Sequence, residues 1–108
     1  MITMTVFRSD TGIYQGFLCS GHAGFARAGK DIVCAAVSVL VINTVNSIEQ
    51  FGGGQAFDCK QEKDSIRLEL IGEPTKETKL LLDSMILGLQ AMEQDYQKKY
   101  VTVKFKEV

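Results

Sequence analysis

The chain has 108 residues, of which 45% are hydrophobic, so it can bury one core and we expect a single domain over residues 1–108. Its 12 basic and 13 acidic residues leave a formal net charge of -1, which argues against a direct nucleic-acid ligand or an anionic membrane surface. Residues 1–9 lack the basic start and apolar run of a secretory signal, so the sequence predicts a cytoplasmic protein.

The first half of the chain predicts a β-hairpin followed by an apolar helix. Residues 2–7 and 13–20 favour strands, and the Asp-Thr-Gly sequence at residues 10–12 has the chemistry of a turn. Asp31 is a suitable N-cap for a helix over residues 32–51, which a run of three glycines ends.

The second half predicts another hairpin, an amphipathic helix and a final strand. Residues 56–61 and 66–71 favour strands around a polar turn at residues 63–65. Thr75 caps a helix that runs to about Lys98. Apolar and polar residues alternate over residues 100–107, as in a strand with one solvent-exposed face. The order ββαββαβ predicts an α+β fold of two layers, with two helices packed on a mainly antiparallel sheet of about five strands.

The first helix carries more apolar surface than one sheet face can cover. We therefore expect part of it to meet a second copy of the chain in a homodimer. The longest apolar stretch, residues 32–42, falls short of the ~20 residues that span a bilayer, so we expect a core or interface helix and no membrane partner.

The connection over residues 21–30 is longer than is usual between elements of a compact domain. Gly24 and Gly29 are among its small residues, which favour a mobile loop that closes over a site. The only histidine, His22, lies at its start, and Cys34 lies just beyond its end. The loop can therefore bring an imidazole to a thiol.

A helix that begins after Asp31 places Cys34 in its first turn, where the helix dipole favours a thiolate. An adjacent His22 would take the thiol proton and return it to a leaving amine, and first-turn amides could hold an oxyanion. Ser38, one turn later, could donate a hydrogen bond on the same face. Asp31 either caps the helix or orients His22, and the sequence leaves both roles open.

Each of these residues also has a structural interpretation. A cysteine in an apolar helix usually packs in the core, and a single histidine usually has no catalytic role. A zinc site is a further alternative, because Cys19-x-x-His22 has chelating spacing and Cys34 and Cys59 could complete it. The odd number of cysteines and the lack of a second close pair argue for reduced thiols and no metal.

Residues 21–38 resemble the signature of the ribosomal-processing cysteine protease family. They contain Gly-His, a glycine-containing loop, Asp-Ile-Val-Cys-Ala and a serine one turn after the cysteine. The resemblance implies an endopeptidase without a cofactor that removes a short N-terminal extension from large-subunit ribosomal protein number twenty-seven, and it implies a homodimer. It makes Cys34 the nucleophile and His22 the base, with Gly21, Asp31 and Ser38 in support. The alternative is a non-catalytic ribosome-assembly or peptide-binding module with an incidental thiol.

Overall fold

The computed structural model describes residues 1–22, 24 and 31–108. Its elements follow the order that the sequence predicts, so the α+β class is confirmed. The described chain contains the strands and helices β1 (Ile2–Arg8), β2 (Tyr14–Gly21), α1 (Ile32–Phe51), β3 (Phe57–Glu62), β4 (Ser65–Leu70), α2 (Lys76–Asp95) and β5 (Val101–Glu107).

The strands form one sheet in the order β3-β4-β2-β1-β5. Within it β1 pairs antiparallel with β2, β2 with β4, and β4 with β3, whereas β1 pairs parallel with β5. The sheet is therefore mainly antiparallel, as predicted. The parallel pair follows from the connection through α2, which carries the chain from β4 across to the far edge of the sheet.

One face of the sheet forms the core with both helices. Alternate residues of β1 (Ile2, Met4 and Val6) are buried with Phe17 of β2 and Leu68 of β4, because side chains at every second position of a strand share a face. Each helix adds a buried stripe at helical spacing. The core is therefore built from residues distributed along the whole described chain.

The apolar helix α1 is 20 residues long and contains an 18-residue window with a mean hydropathy of 1.8, so by length and composition it could cross a membrane. This differs from the prediction, which considered only the shorter stretch over residues 32–42. Val33, Val37 and Val41 are buried in the core, and 33% of the helix window is buried in the fold. We therefore interpret α1 as a core helix with one uncovered side.

The second helix ends at Asp95, three residues before the end that the sequence predicts. Gln97 and Lys98 have positive φ angles of 55° and 61°, which an α-helix does not accommodate. At the other end, Thr75 is the N-cap, as predicted, and its Oγ1 accepts a hydrogen bond from Thr78 N at 3.0 Å. The prediction was therefore wrong at the C-terminal end of α2 and correct at its start.

Candidate active site

A cavity of about 180 Å³ lies between the first half of α1, the end of β2 and the hairpin that joins β3 to β4. Four of the residues that the family resemblance assigns to the active site line it: Gly21, His22, Cys34 and Ser38. The histidine and the cysteine therefore line the same cavity. Asp31 lies beside this site, at the start of α1.

Cys34 lies in the first turn of α1 and is partly buried. Asp31 is the N-cap, with extended backbone angles, and its Oδ1 accepts hydrogen bonds from Val33 N at 3.0 Å and Cys34 N at 2.9 Å. Such a cap satisfies amides that have no partner within the helix. The capping role of Asp31 is therefore confirmed, and it fixes the backbone that carries the thiol.

The same cap limits which groups can stabilise an oxyanion. The amides of Val33 and Cys34 donate to the Asp31 carboxylate, and Ala35 N donates to the Asp31 carbonyl at 3.1 Å. These first-turn amides are engaged, so the expectation that they hold an oxyanion is not supported. Ser38 is exposed and lines the cavity, so its hydroxyl is a side-chain donor that α1 offers to a ligand there.

Gly21 ends β2 and holds the backbone that precedes His22. Its φ is +96°, and a Cβ built on it would lie 2.3 Å from the carbonyl oxygen of Met1, which is too close for any side chain. Its amide donates a hydrogen bond to the carbonyl oxygen of Asp64 at 3.0 Å. Gly21 therefore supports the site through the backbone, because β1 and the hairpin turn both approach it closely.

His22 contacts a carboxylate that the sequence did not single out. Its Nε2 lies 2.7 Å from Oδ1 of Asp64, in the turn between β3 and β4. Asp64 also lines the cavity. The sequence gives only the polar character of this turn, and it contains no signal that the turn lies beside the imidazole.

The other two cysteines have different surroundings. Burial raises the pKa of the Cys19 thiol to about 11, with a smaller contribution in the same direction from Cys34. Cys19 is therefore a buried packing residue in the wall of the cavity. Cys59 lies on the edge strand β3 and is largely exposed, and the partial desolvation of its thiol raises its pKa. No group of three or more metal-binding side chains occurs among residues 1–22, 24 and 31–108, so the zinc hypothesis has no structural support there.

The predicted mobile loop falls largely outside the described residues. Gly29 is among those that are not described, whereas Gly24 is exposed and has a φ of +73°. Loop closure over the site therefore stays a prediction.

Comparison with known proteins places the whole site within one family. The sequence profile described as cysteine protease Prp matches residues 1–102. Ribosomal processing cysteine protease Prp of Bacillus subtilis is 35% identical over 103 residues, which are 90% of this chain and 91% of that protein. Every residue that lines the cavity lies within the matched part.

Solved structures agree with the sequence comparison. The essential ribosomal processing protease Prp from Staphylococcus aureus, crystallised with a covalently linked product peptide, matches with a TM-score of 0.91 and 26% identity, covering 98% of this chain and 100% of that one. A second S. aureus Prp structure, with a substrate peptide, matches with a TM-score of 0.85 and 25% identity over the same shares of the two chains.

Proposed function

The chain belongs to the cysteine protease Prp family, and on that basis we propose that it is an endopeptidase that processes a ribosomal protein precursor. The family and the enzyme class that the sequence predicts, a cysteine protease, are confirmed by the match over residues 1–102. We propose that residues 1–108 act as one protease domain. The individual roles of the site residues are part of this proposal.

Cys34 is the nucleophile and His22 is its general base and acid. The imidazole takes the proton from Cys34 Sγ, and the thiolate attacks the scissile carbonyl carbon to give a tetrahedral oxyanion. When this intermediate collapses, the C–N bond breaks, and His22 returns the proton to the leaving amine. Water, deprotonated by His22, then hydrolyses the thioester and releases the second product.

The observation that carries this assignment is that His22 and Cys34 line the same cavity. The start of α1 adds to it, because the helix dipole favours negative charge at the sulfur, although the Asp31 carboxylate offsets part of that effect. The S. aureus relative has been crystallised with a covalently linked product peptide, so a peptide product fits a protein of this fold.

Three residues support these two. Asp31 holds the first turn of α1 and thereby Cys34, through the cap described above. Gly21 lets the backbone place His22 at the cavity, and the Ser38 hydroxyl donates a hydrogen bond to the oxyanion or to the bound peptide.

The substrate is the N-terminal extension of a large-subunit ribosomal protein. Relatives from Bacillus subtilis and Staphylococcus aureus are named ribosomal processing cysteine proteases, and the signature at residues 21–38 points to ribosomal protein number twenty-seven. The cut follows a partly hydrophobic peptide that ends in an aromatic residue. Such a substrate is met during ribosome assembly, so we propose that the enzyme works in the cytoplasm, with no direct contact to nucleic acid.

We also propose that the enzyme is a homodimer. Ile32, Ala36 and Val39 lie three to four residues apart on the side of α1 opposite the core, and Ile32 and Val39 are 62% and 69% exposed. An apolar stripe of this kind is stabilised by a second copy of itself across a twofold axis.

The decisive experiment is incubation of the enzyme with the extended ribosomal protein precursor, read by mass spectrometry. Native enzyme should remove the extension, whereas Cys34→Ala and His22→Ala should lose cleavage while their folding is retained. Cys59→Ala is the matched control, because Cys59 lies outside the cavity, and it should cleave normally. Cleavage by the Cys34→Ala variant would refute the mechanism.

A further inference from the structure

The hairpin turn between β3 and β4 contacts the residues around His22 in two independent ways. The backbone of Gly21 donates to the Asp64 carbonyl oxygen at 3.0 Å, and His22 Nε2 lies 2.7 Å from the Asp64 carboxylate. One residue of the turn therefore fixes both the chain that leads to the histidine and the ring itself. The two partners come from distant parts of the sequence, so the sheet topology creates this contact.

We infer that Asp64 is a positioning residue for His22 in the reaction proposed above, on which this inference rests. Its carboxylate accepts a hydrogen bond from Nε2–H, which fixes the ring orientation and the tautomer of the neutral imidazole. Nδ1 is then the nitrogen that takes the proton from Cys34 and returns it to the leaving amine.

The neighbouring carboxylates are engaged elsewhere. Asp31 caps α1 through the amides of Val33 and Cys34, and Glu62, which also lines the cavity, pairs with Lys60 at 3.2 Å. In the contacts of the described residues, Asp64 is therefore the carboxylate that binds the imidazole of His22.

Because the side chains of His22 and Asp64 are largely exposed, the positioning role of Asp64 can be tested without a large loss of folding stability. The side chains of His22 and Asp64 are 67% and 50% exposed, and ion pairs in water contribute little to folding. Replacing the Asp64 side chain also leaves its carbonyl oxygen in place for the Gly21 amide. The loss of the carboxylate should therefore change turnover far more than it changes the folded state.

The first test compares Asp64→Ala and Asp64→Glu with the native enzyme on the precursor. We expect kcat to fall about tenfold in Asp64→Ala, with KM unchanged because Asp64 acts through His22 and not on the substrate. Glutamate should restore part of the rate. Asp58→Ala is the control, because Asp58 is an exposed carboxylate on the same hairpin but outside the cavity. An unchanged kcat in Asp64→Ala, or an equal loss in Asp58→Ala, would overturn the inference.

The second test asks whether Asp64 acts through the imidazole. Alkylation of Cys34 by iodoacetamide should slow several-fold in Asp64→Ala, and the same substitution should have no further effect in a His22→Ala background. Equal slowing in both backgrounds would refute a role through His22. If His22→Ala itself retains full cleavage, the proposed function fails, whereas loss in His22→Ala with a normal Asp64→Ala refutes only this inference.

The third test uses the fact that His22 is the only histidine in the chain, so its imidazole gives one set of nitrogen resonances. In the Cys34→Ala variant, at a pH where the ring is neutral, ¹⁵N NMR should show Nε2 protonated and Nδ1 unprotonated. Protonation at Nδ1 would overturn the assignment of the base.

Discussion

Replacement of Gly21 by alanine should disturb the site and the fold together. The new Cβ would meet the Met1 carbonyl oxygen at 2.3 Å, and the φ of +96° is itself unfavourable for alanine. The conformational cost is ~1 to 2 kcal/mol. Relief of the contact requires β1 and β2 to move apart, which adds ~1 to 3 kcal/mol, as for an overpacked core.

Gly12→Ala is the matched control, because Gly12 has a similar φ of +84° but no heavy atom within 4 Å of the added Cβ. It has the conformational cost without the clash. Gly21→Ala should therefore have a free energy of unfolding ~1 to 3 kcal/mol lower than that of Gly12→Ala. Each kcal/mol of this difference should lower Tm by roughly 4 to 8 °C.

Urea and thermal unfolding of both variants measure this difference, and precursor cleavage under conditions where both are folded measures the effect on the site. Gly12→Ala should cleave like the native enzyme, whereas Gly21→Ala should be slower, since the backbone before His22 is displaced. Equal stability and equal cleavage in the two variants would show that the close approach of β1 does not restrict residue 21.

The remaining predictions concern pH, thiol reactivity and assembly. Burial, followed by a hydrogen bond to the Asp83 carboxylate, raises the pKa of Tyr14 from 10.0 to about 12, so this group lowers native stability as the pH rises from 10 to 12. Because the raised pKa of Cys19 contributes to the same loss, Tyr14→Phe should make the fall in urea titrations smaller, and an unchanged fall would contradict this. Iodoacetamide near pH 8 should label Cys34 well before Cys19, because the pKa of Cys19 is about 11. Cys59, whose pKa is also raised, should react more slowly than Cys34 as well. Mass mapping that finds Cys19 modified first would contradict this order. Val39→Glu should give a monomer in sedimentation experiments, and an unchanged mass would argue against an interface at α1.

The sequence predicts the elements and the central pair of the site because these depend on local patterns. Alternation along β1 and the capping residue Asp31 are properties of neighbouring positions, and the signature brings His22 and Cys34 together within one short segment. The end of α2 depends on positive φ angles after Asp95, for which non-glycine residues give little signal.

Asp64 was missed for a different reason. Its contact with His22 requires β4 to pair with β2, and this pairing is a property of the sheet order. The polar turn that contains Asp64 is visible in the sequence, but its neighbours are set by strands that are distant along the chain.

The parallel pairing of β1 with β5 has a consequence for biosynthesis. β1 lies between β2 and β5, so its second edge stays open until the last described strand has left the ribosome and joined it. Pairing of strands this far apart in sequence is slow, because a long loop must close before any contact is gained. Nascent chains should therefore acquire proteolytic activity only after β5 has emerged and joined the sheet, and a chain truncated before Val101 should expose β1 to aggregation.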